Sequence, residues 1–251
     1  MNEPVHPIRV NVGTAGWALP AAERNHFGPG VSNLARYATR FNCVEINSTF
    51  YRRHRPATWQ RWADCVPDDF RFSVKLPKAI THLRGLAACE DLIEEFVTDT
   101  RGLGAKFAVA LVQLAPKHAF DQALAQDFFA TLRSQLSARI VCEPRHPSWF
   151  NEDANQILID SGVGRVAADP AIVTCASSPG GSPGIRYWRL HGSPVIYRSP
   201  YDSAAIDRLA DAIRTDVSAA DIWCIFDNTA SSAATRNALD LAAALSTQQE
   251  H

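Results

Sequence analysis

Short runs of apolar and β-branched residues recur along the chain, each followed by a longer stretch whose apolar residues return every three or four positions. Runs of the first kind, bounded by turn residues, predict strands, and a 3.6-residue period predicts helices that lay one face on a core. The pattern gives eight strands, near residues 8–13, 42–47, 71–75, 106–113, 139–143, 164–169, 185–191 and 221–227. Helices are predicted at "VSNLARYATRF", "PATWQRWADCV", "CEDLIEEFVTDTRGLG", "DQALAQDFFATLRSQL", "NEDANQILIDSG", "DSAAIDRLADAIRTD" and "SSAATRNALDLAAAL". Pro56 suits a first helical turn, where its missing N–H leaves no bond unmade. Between the sixth and seventh strands, "PAIVTCASSPGGSPG" is rich in Ser, Pro and Gly and predicts an open loop in place of a helix. Strands alternating with helices predict parallel βαβ units. Eight of them predict a single-domain TIM-like (β/α)8 barrel over residues 1–251, irregular between strands 6 and 7. A doubly wound open sheet is the competing arrangement, because periodicity does not report closure.

Side chains alternate across a strand, so each run splits into a face toward the helices and a face toward the interior. In "CVEIN", Val44 and Ile46 oppose Cys43, Glu45 and Asn47; in "RFSVK", Phe72 and Val74 oppose Ser73 and Lys75. In "RIVCE", Ile140 and Cys142 oppose Val141 and Glu143, and in "YWRLH", Trp188 and Leu190 oppose Tyr187, Arg189 and His191. The helix-facing side is apolar, whereas the interior side becomes polar or charged toward the C-terminal end of each strand. That end carries the active site in barrels of this class, because the βα loops converge there. Thr14 and Trp17 follow strand 1, His82 lies in the loop after strand 3, and Gln113 ends strand 4. Glu143 ends strand 5 below Arg145, His146 and Trp149, Asp169 ends strand 6, and Asp227 and Asn228 end strand 8.

Charge narrows the classes of partner. The 251 residues carry 25 Lys+Arg against 26 Asp+Glu, so no global basic field points to nucleic acid or an anionic membrane, and any preference for anions is local. The six cysteines, at 43, 65, 89, 142, 175 and 224, form no CxxC pair or zinc pattern and suit a reducing compartment. "MNEPVHPIRV" lacks the basic and apolar regions of a signal peptide, and no apolar run is long enough to span a bilayer, so a soluble cytoplasmic protein is expected.

Seven motifs in order, "VGTAGW", "VEINSTFYR", "FSVKLPKAITH", "LVQLAP", "CEPRHPSW", "YWRLHG" and "IFDNTASSAATRNAL", resemble the YecE-like family, also called domain of unknown function 72, over about residues 10–245. The resemblance implies a TIM-like barrel and leaves the chemistry to be read from the residues. Three positions depart from the family pattern: Ala15 stands where Ser is usual, Ala115 where Pro is usual, and Asp227 where the first Asn of an Asn-Asn pair is usual. The last adds a carboxylate to the mouth.

Glu45 and Glu143 are the candidate general acid and base, since mouth carboxylates are where pKa values shift. The alternative is that they are counter-ions for Lys75 and Arg189 in an internal ion network. Lys75 suits an anion or a structural partner better than a Schiff base, because nothing else signals a carbonyl substrate. Arg52, Arg145, Arg189, His82, His146 and His191 form a basic set around the carboxylates, and guanidinium groups match planar anions. The leading expectation is an enzyme for a phosphorylated or carboxylated small molecule. Glu45, Glu143, Lys75 and His191 would be catalytic, and Thr14, Trp17, Asn47, Tyr51, His82, Gln113, Arg145, His146, Trp149, Asp169, Arg189, Asp227 and Asn228 would contact substrate. No cofactor is called for. The main competitor is a metal-dependent phosphoester hydrolase, nuclease-like, with a divalent ion held by Glu45, Glu143, His146, Asp169, His191 and Asp227. No HxH or HExxH spacing supports it, and the neighbouring cations oppose it. A non-catalytic binder of nucleic acid or a nucleotide is the third reading, disfavoured by the near-zero net charge.

Overall fold

In the computed structural model, which describes residues 9–216 and 221–246, every predicted strand and helix is present. The strands are β1 (Arg9–Thr14), β2 (Cys43–Ile46), β3 (Arg71–Lys75), β4 (Phe107–Gln113), β5 (Arg139–Glu143), β6 (Val163–Arg165), β7 (Ala167–Asp169), β8 (Gly180–Gly181), β9 (Arg186–Leu190) and β10 (Asp221–Phe226). The helices are α1 (Asn33–Tyr37), α2 (Pro56–Asp64), α3 (Glu90–Thr100), α4 (Gln122–Gln135), α5 (Glu152–Asp160), α6 (Ser203–Thr215) and α7 (Ala233–Ser246). Their starts are chemically marked. Ser32, Asp121, Asn151 and Asp202 each accept a hydrogen bond from a backbone N–H three residues on, filling a donor that the first turn leaves open. The predicted loop between strands 6 and 7 is the one observed. It holds a short 3-10 turn at Thr174–Ser177 and the two-residue β8, which pairs antiparallel with β6.

The architecture is mixed α/β, and the strand ladders fall into two sheets rather than one continuous cylinder. One sheet runs β1-β10-β9-β7, all parallel; the other runs β2-β3-β4-β5-β6, also parallel, with β8 at its edge. The sixth predicted strand is the physical reason. It serves both sheets, Val163–Arg165 pairing with β5 and Ala167–Asp169 with β9, and the Val166 N–H between them bonds the Cys142 carbonyl at 2.8 Å.

At the junction of β1 and β2, side chains replace the ladder. The Tyr37 hydroxyl accepts from the Thr14 N–H at 2.8 Å and donates to the Cys43 carbonyl at 3.1 Å. One residue before β2, the Asn42 amide accepts from the Val12 N–H at 3.2 Å and donates to the Val10 carbonyl at 2.9 Å. A backbone bridge follows, with the Gly16 N–H bonded to the Glu45 carbonyl at 2.8 Å. The close approach needs Gly13, because a Cβ there would lie 2.4 Å from the Cys43 carbonyl oxygen. Tyr37→Phe therefore strands a buried N–H and a buried carbonyl, and should cost about 2–6 kcal/mol in urea unfolding, at 1–3 kcal/mol for each group left unpaired.

Burial follows the alternation of the strands. Val44, Ile46, Phe72, Val74, Ile140, Cys142, Trp188 and Leu190 belong to the large core beneath the helices. Cys43, Val141 and Tyr187 join Val109, Leu111, Trp223 and Ile225 in a smaller core between the sheets. Above that inner core, on the side of the strand C-termini, the interior face turns polar. No helix among the described residues is long and apolar enough to cross a membrane.

Candidate functional site

β9 carries the centre of the site. Tyr187 and Arg189 share its interior face, and His191 lies just beyond its end. All three are buried, and Arg189 is completely enclosed. A bare guanidinium there would be prohibitive, and three carboxylates compensate it. Arg189 Nε and Nη2 reach Glu45 Oε2 and Oε1 at 3.0 and 2.7 Å, Nη1 reaches Glu143 Oε2 at 2.5 Å, and Nη2 also reaches Asp227 Oδ2 at 3.0 Å. Glu45 comes from β2, Glu143 from the end of β5 and Asp227 from just past β10, so one side chain ties both sheets together.

The other charges are arranged around this core. His191 Nδ1 lies 3.0 Å from Asp227 Oδ2, while its Nε2 lies 2.9 Å from Glu143 Oε1 and 2.6 Å from Arg145 Nη2. Arg145 also pairs with Glu143, and Gln113 Nε2 donates to Glu143 Oε2 at 3.2 Å. The Tyr187 hydroxyl donates to Glu45 Oε2 at 2.8 Å and sits 2.9 Å from Ser73 Oγ.

These contacts set the protonation states. Burial alone would raise the Glu143 pKa, but Arg189, Arg145 and His191 outweigh it and hold the carboxyl well below its usual range. Asp227 is likewise lowered: burial opposes ionisation, and Arg189 and His191 prevail. Lys75 goes the other way. Burial and the nearby Arg189 bring its pKa down to about 8, against the pull of Glu45, Glu143 and Asp227. Its Nζ lies 4.2 Å above the Phe50 ring and makes no hydrogen bond or ion pair with the described residues. It is the uncommitted charge of the cluster.

The sequence-predicted residues thus separate into groups. Glu45, Lys75, Gln113, Glu143, Arg145, Arg189, His191 and Asp227 converge. Asn47 links them to a neighbouring cavity of about 480 Å³, its Nδ2 lying 3.5 Å from Asp227 Oδ1. Thr14, Trp17, Arg52 and His54 line the same cavity, where the buried Asn47 Oδ1 has no hydrogen-bond partner among the described residues. His82 stands edge-on to Phe50, the ring whose face Lys75 Nζ covers, and Tyr51 is 82% exposed on the rim.

Other expected substrate contacts have different work. Trp149 is fully buried; its indole donates to the His118 carbonyl at 3.0 Å and packs on Phe120, so it supports the loop after β5 and does not face the mouth. His146 Nδ1 lies 2.8 Å from Ser148 Oγ and shapes the same loop. Asn228 is buried and donates to the Ser199 carbonyl and Asn237 Oδ1, pinning the loop after β9. Asp169 accepts from the Tyr201 hydroxyl at 2.5 Å. Arg189 itself has four of its five N–H directions filled by protein carboxylates, leaving one on Nη1. The same filling bears on the metal arrangement: Glu45, Glu143 and Asp227 aim oxygens at a guanidinium occupying the position a divalent ion would need.

Two participants were not singled out beforehand. Tyr187 was legible, two residues before Arg189 on the same face. Tyr197, whose ring meets His191 edge-on at 5.7 Å, sits in a loop at φ 67° and belongs to no periodic pattern.

The family described as "Protein of unknown function DUF72" matches residues 11–251. The chain belongs to the DUF72 family. It is 32% identical over 173 residues to UPF0759 protein YecE of Escherichia coli K12, a match covering 66% of this chain and 61% of that protein. The DUF72 member's fold is also that of solved relatives. A DUF72 protein from Enterococcus faecalis V583 has a TM-score of 0.77 at 20% identity, covering 94% of this chain and 95% of the other. One from Thermotoga maritima MSB8 has a TM-score of 0.76 at 22% identity, covering 92% and 97%.

Proposed function

We propose that this DUF72 protein is an enzyme acting on a phosphorylated or carboxylated small molecule above the strand C-termini, with acid/base chemistry centred on Lys75. In this reading the two sheets act as one (β/α)8 ring, closed by the split strand at Val166 and by the Tyr37 and Asn42 contacts between β1 and β2. The observation that carries the proposal is the imbalance of commitment within the cluster. Glu45, Glu143 and Asp227 are bound to Arg189, whereas the Lys75 amine, with a pKa of about 8, has no ionic partner among the described residues.

The proton-transfer role therefore moves from Glu45 and Glu143 to Lys75. Carboxylates locked on a guanidinium are poor bases, while an amine titrating near neutrality can both attract an anion and exchange a proton. Arg145 supplies the second positive group, and His191, held between Asp227 and Glu143, orients it. The substrate body would extend toward the cavity lined by Thr14, Trp17 and Asn47.

A melting-temperature screen of phosphorylated and carboxylated metabolites tests this directly. At least one should stabilise the wild type, the effect should shrink as pH rises through 8 and the amine discharges, and Lys75→Met should abolish it. The reading is lost if no anion stabilises the wild type or if the variant responds equally.

A further inference from the structure

The opposite ends of the same strands hold a second charged cluster, which the site above does not use. Val10, Phe72, Ile140 and Ile222 face the helices, so by alternation Arg9, Arg71, Arg139 and Asp221 face the interior at their N-terminal ends. There they line a cavity of about 190 Å³ whose floor includes Asn11 and Trp223. Among the described residues, three guanidinium groups share this space with one carboxylate.

Asp221 is already engaged. Its Oδ1 accepts from Asn11 Nδ2 at 2.9 Å and from Trp223 Nε1 at 3.1 Å, and Oδ2 lies 3.5 Å from Arg139 Nε. Among the described residues, the contacts of Arg9 and Arg71 are to neutral acceptors, which orient them without neutralising them. Arg9 Nε donates to Asn11 Oδ1 at 3.0 Å and its Nη2 to the Asp69 carbonyl, while Arg71 Nη1 donates to the Asp68 and Phe70 carbonyls at 2.7 and 3.0 Å. The Asp68 and Asp69 side chains are exposed to solvent, and Asp68 is 3.6 Å from Lys106. Like charges aimed into one small space repel, and an anion placed among them turns that repulsion into attraction.

We propose that this cavity is a second anion site, taking a phosphate-sized oxyanion between Arg9, Arg71 and Arg139. Its volume equals that of about six water molecules at roughly 30 Å³ each, enough for an oxyanion with part of its hydration. Arg9 and Asp221 belong to one sheet and Arg71 and Arg139 to the other. An anion held there bridges the two sheets and stabilises the folded chain by mass action. The site is independent of the chemistry proposed at Lys75.

Trp223 provides a local reporter. In protein labelled with 15N-tryptophan, titration with inorganic phosphate or pyrophosphate at constant ionic strength should shift the Trp223 indole resonance saturably, assigned through Trp223→Phe. Arg71→Gln/Arg139→Gln should weaken this response tenfold or more, and Asp221→Asn, which keeps an oxygen acceptor but removes the negative charge, should strengthen it severalfold. Lys75→Met should leave it unchanged, separating this site from the other. A Trp223 resonance that does not move in the wild type, that moves equally in the double Gln variant, or that responds no more strongly in Asp221→Asn overturns the proposal.

Discussion

Arg189→Met should destabilise the protein by about 3–5 kcal/mol, the usual cost of removing one member of a buried ion network and leaving its partners charged. Methionine roughly preserves the volume, so the loss reports charge and not a cavity. The pH dependence separates this from a packing defect. In the wild type, Glu143 and Asp227 are held below their unfolded pKa values, so their stabilisation is complete above the unfolded carboxylate range and is lost as pH falls through the folded values. Without Arg189 the largest influence holding both pKa values down is gone, and both rise, with Arg145 and His191 still beside Glu143. The wild-type slope should then flatten, so that stability no longer climbs as pH rises above about 4, where the unfolded carboxylates ionise. Urea unfolding from pH 3.5 to 7 reads both slopes. A variant within about 1 kcal/mol of wild type, or one with the wild-type slope, would contradict the assignment of Arg189 as the keystone.

The converse holds at Lys75: replacing it with methionine should make the protein more stable. The amine titrates at about 8 when folded, against 10.5 for an unperturbed lysine. Between these values the unfolded chain binds a proton that the folded chain does not. Wild-type stability contributed by this group therefore rises with pH across that window, and below it the folded state carries a penalty of about 3 kcal/mol. Lys75→Met removes both penalty and slope. Stability gained together with loss of the anion response is the trade expected of a residue retained for chemistry. Equilibrium unfolding at pH 7 and pH 10 checks it; a variant equally or less stable at pH 7, with an unchanged slope, would show that Lys75 has a structural role.

The parts legible in the sequence were those governed by local periodicity. The alternation in "CVEIN", "RIVCE" and "YWRLH" announced which residues turn inward, because a two-residue repeat leaves no freedom once one face is apolar. It did not announce partners. Arg189 was readable as interior but not as largely committed, since that depends on Glu45, Glu143 and Asp227 arriving from strands far apart along the chain. Trp149 misled for a related reason: a tryptophan in a loop after a strand looks like a rim residue until His118 and Phe120, from the previous loop, are seen to enclose it. The division into two ladders was invisible, because Val166 is an ordinary strand residue and Tyr37 belongs to a helix.

Tyr37 and Asn42 leave one lasting mark on what mutation can do to this protein. Elsewhere, neighbouring strands recognise one another through peptide groups, which every amino acid possesses and no substitution except proline removes. At that joint, apart from the one peptide bridge at Gly16 and Glu45, the recognition is written in a phenol and a carboxamide, so heredity can edit it one codon at a time. A change that any other pair of strands would absorb in silence becomes there a decision about whether the first strand stays beside the second.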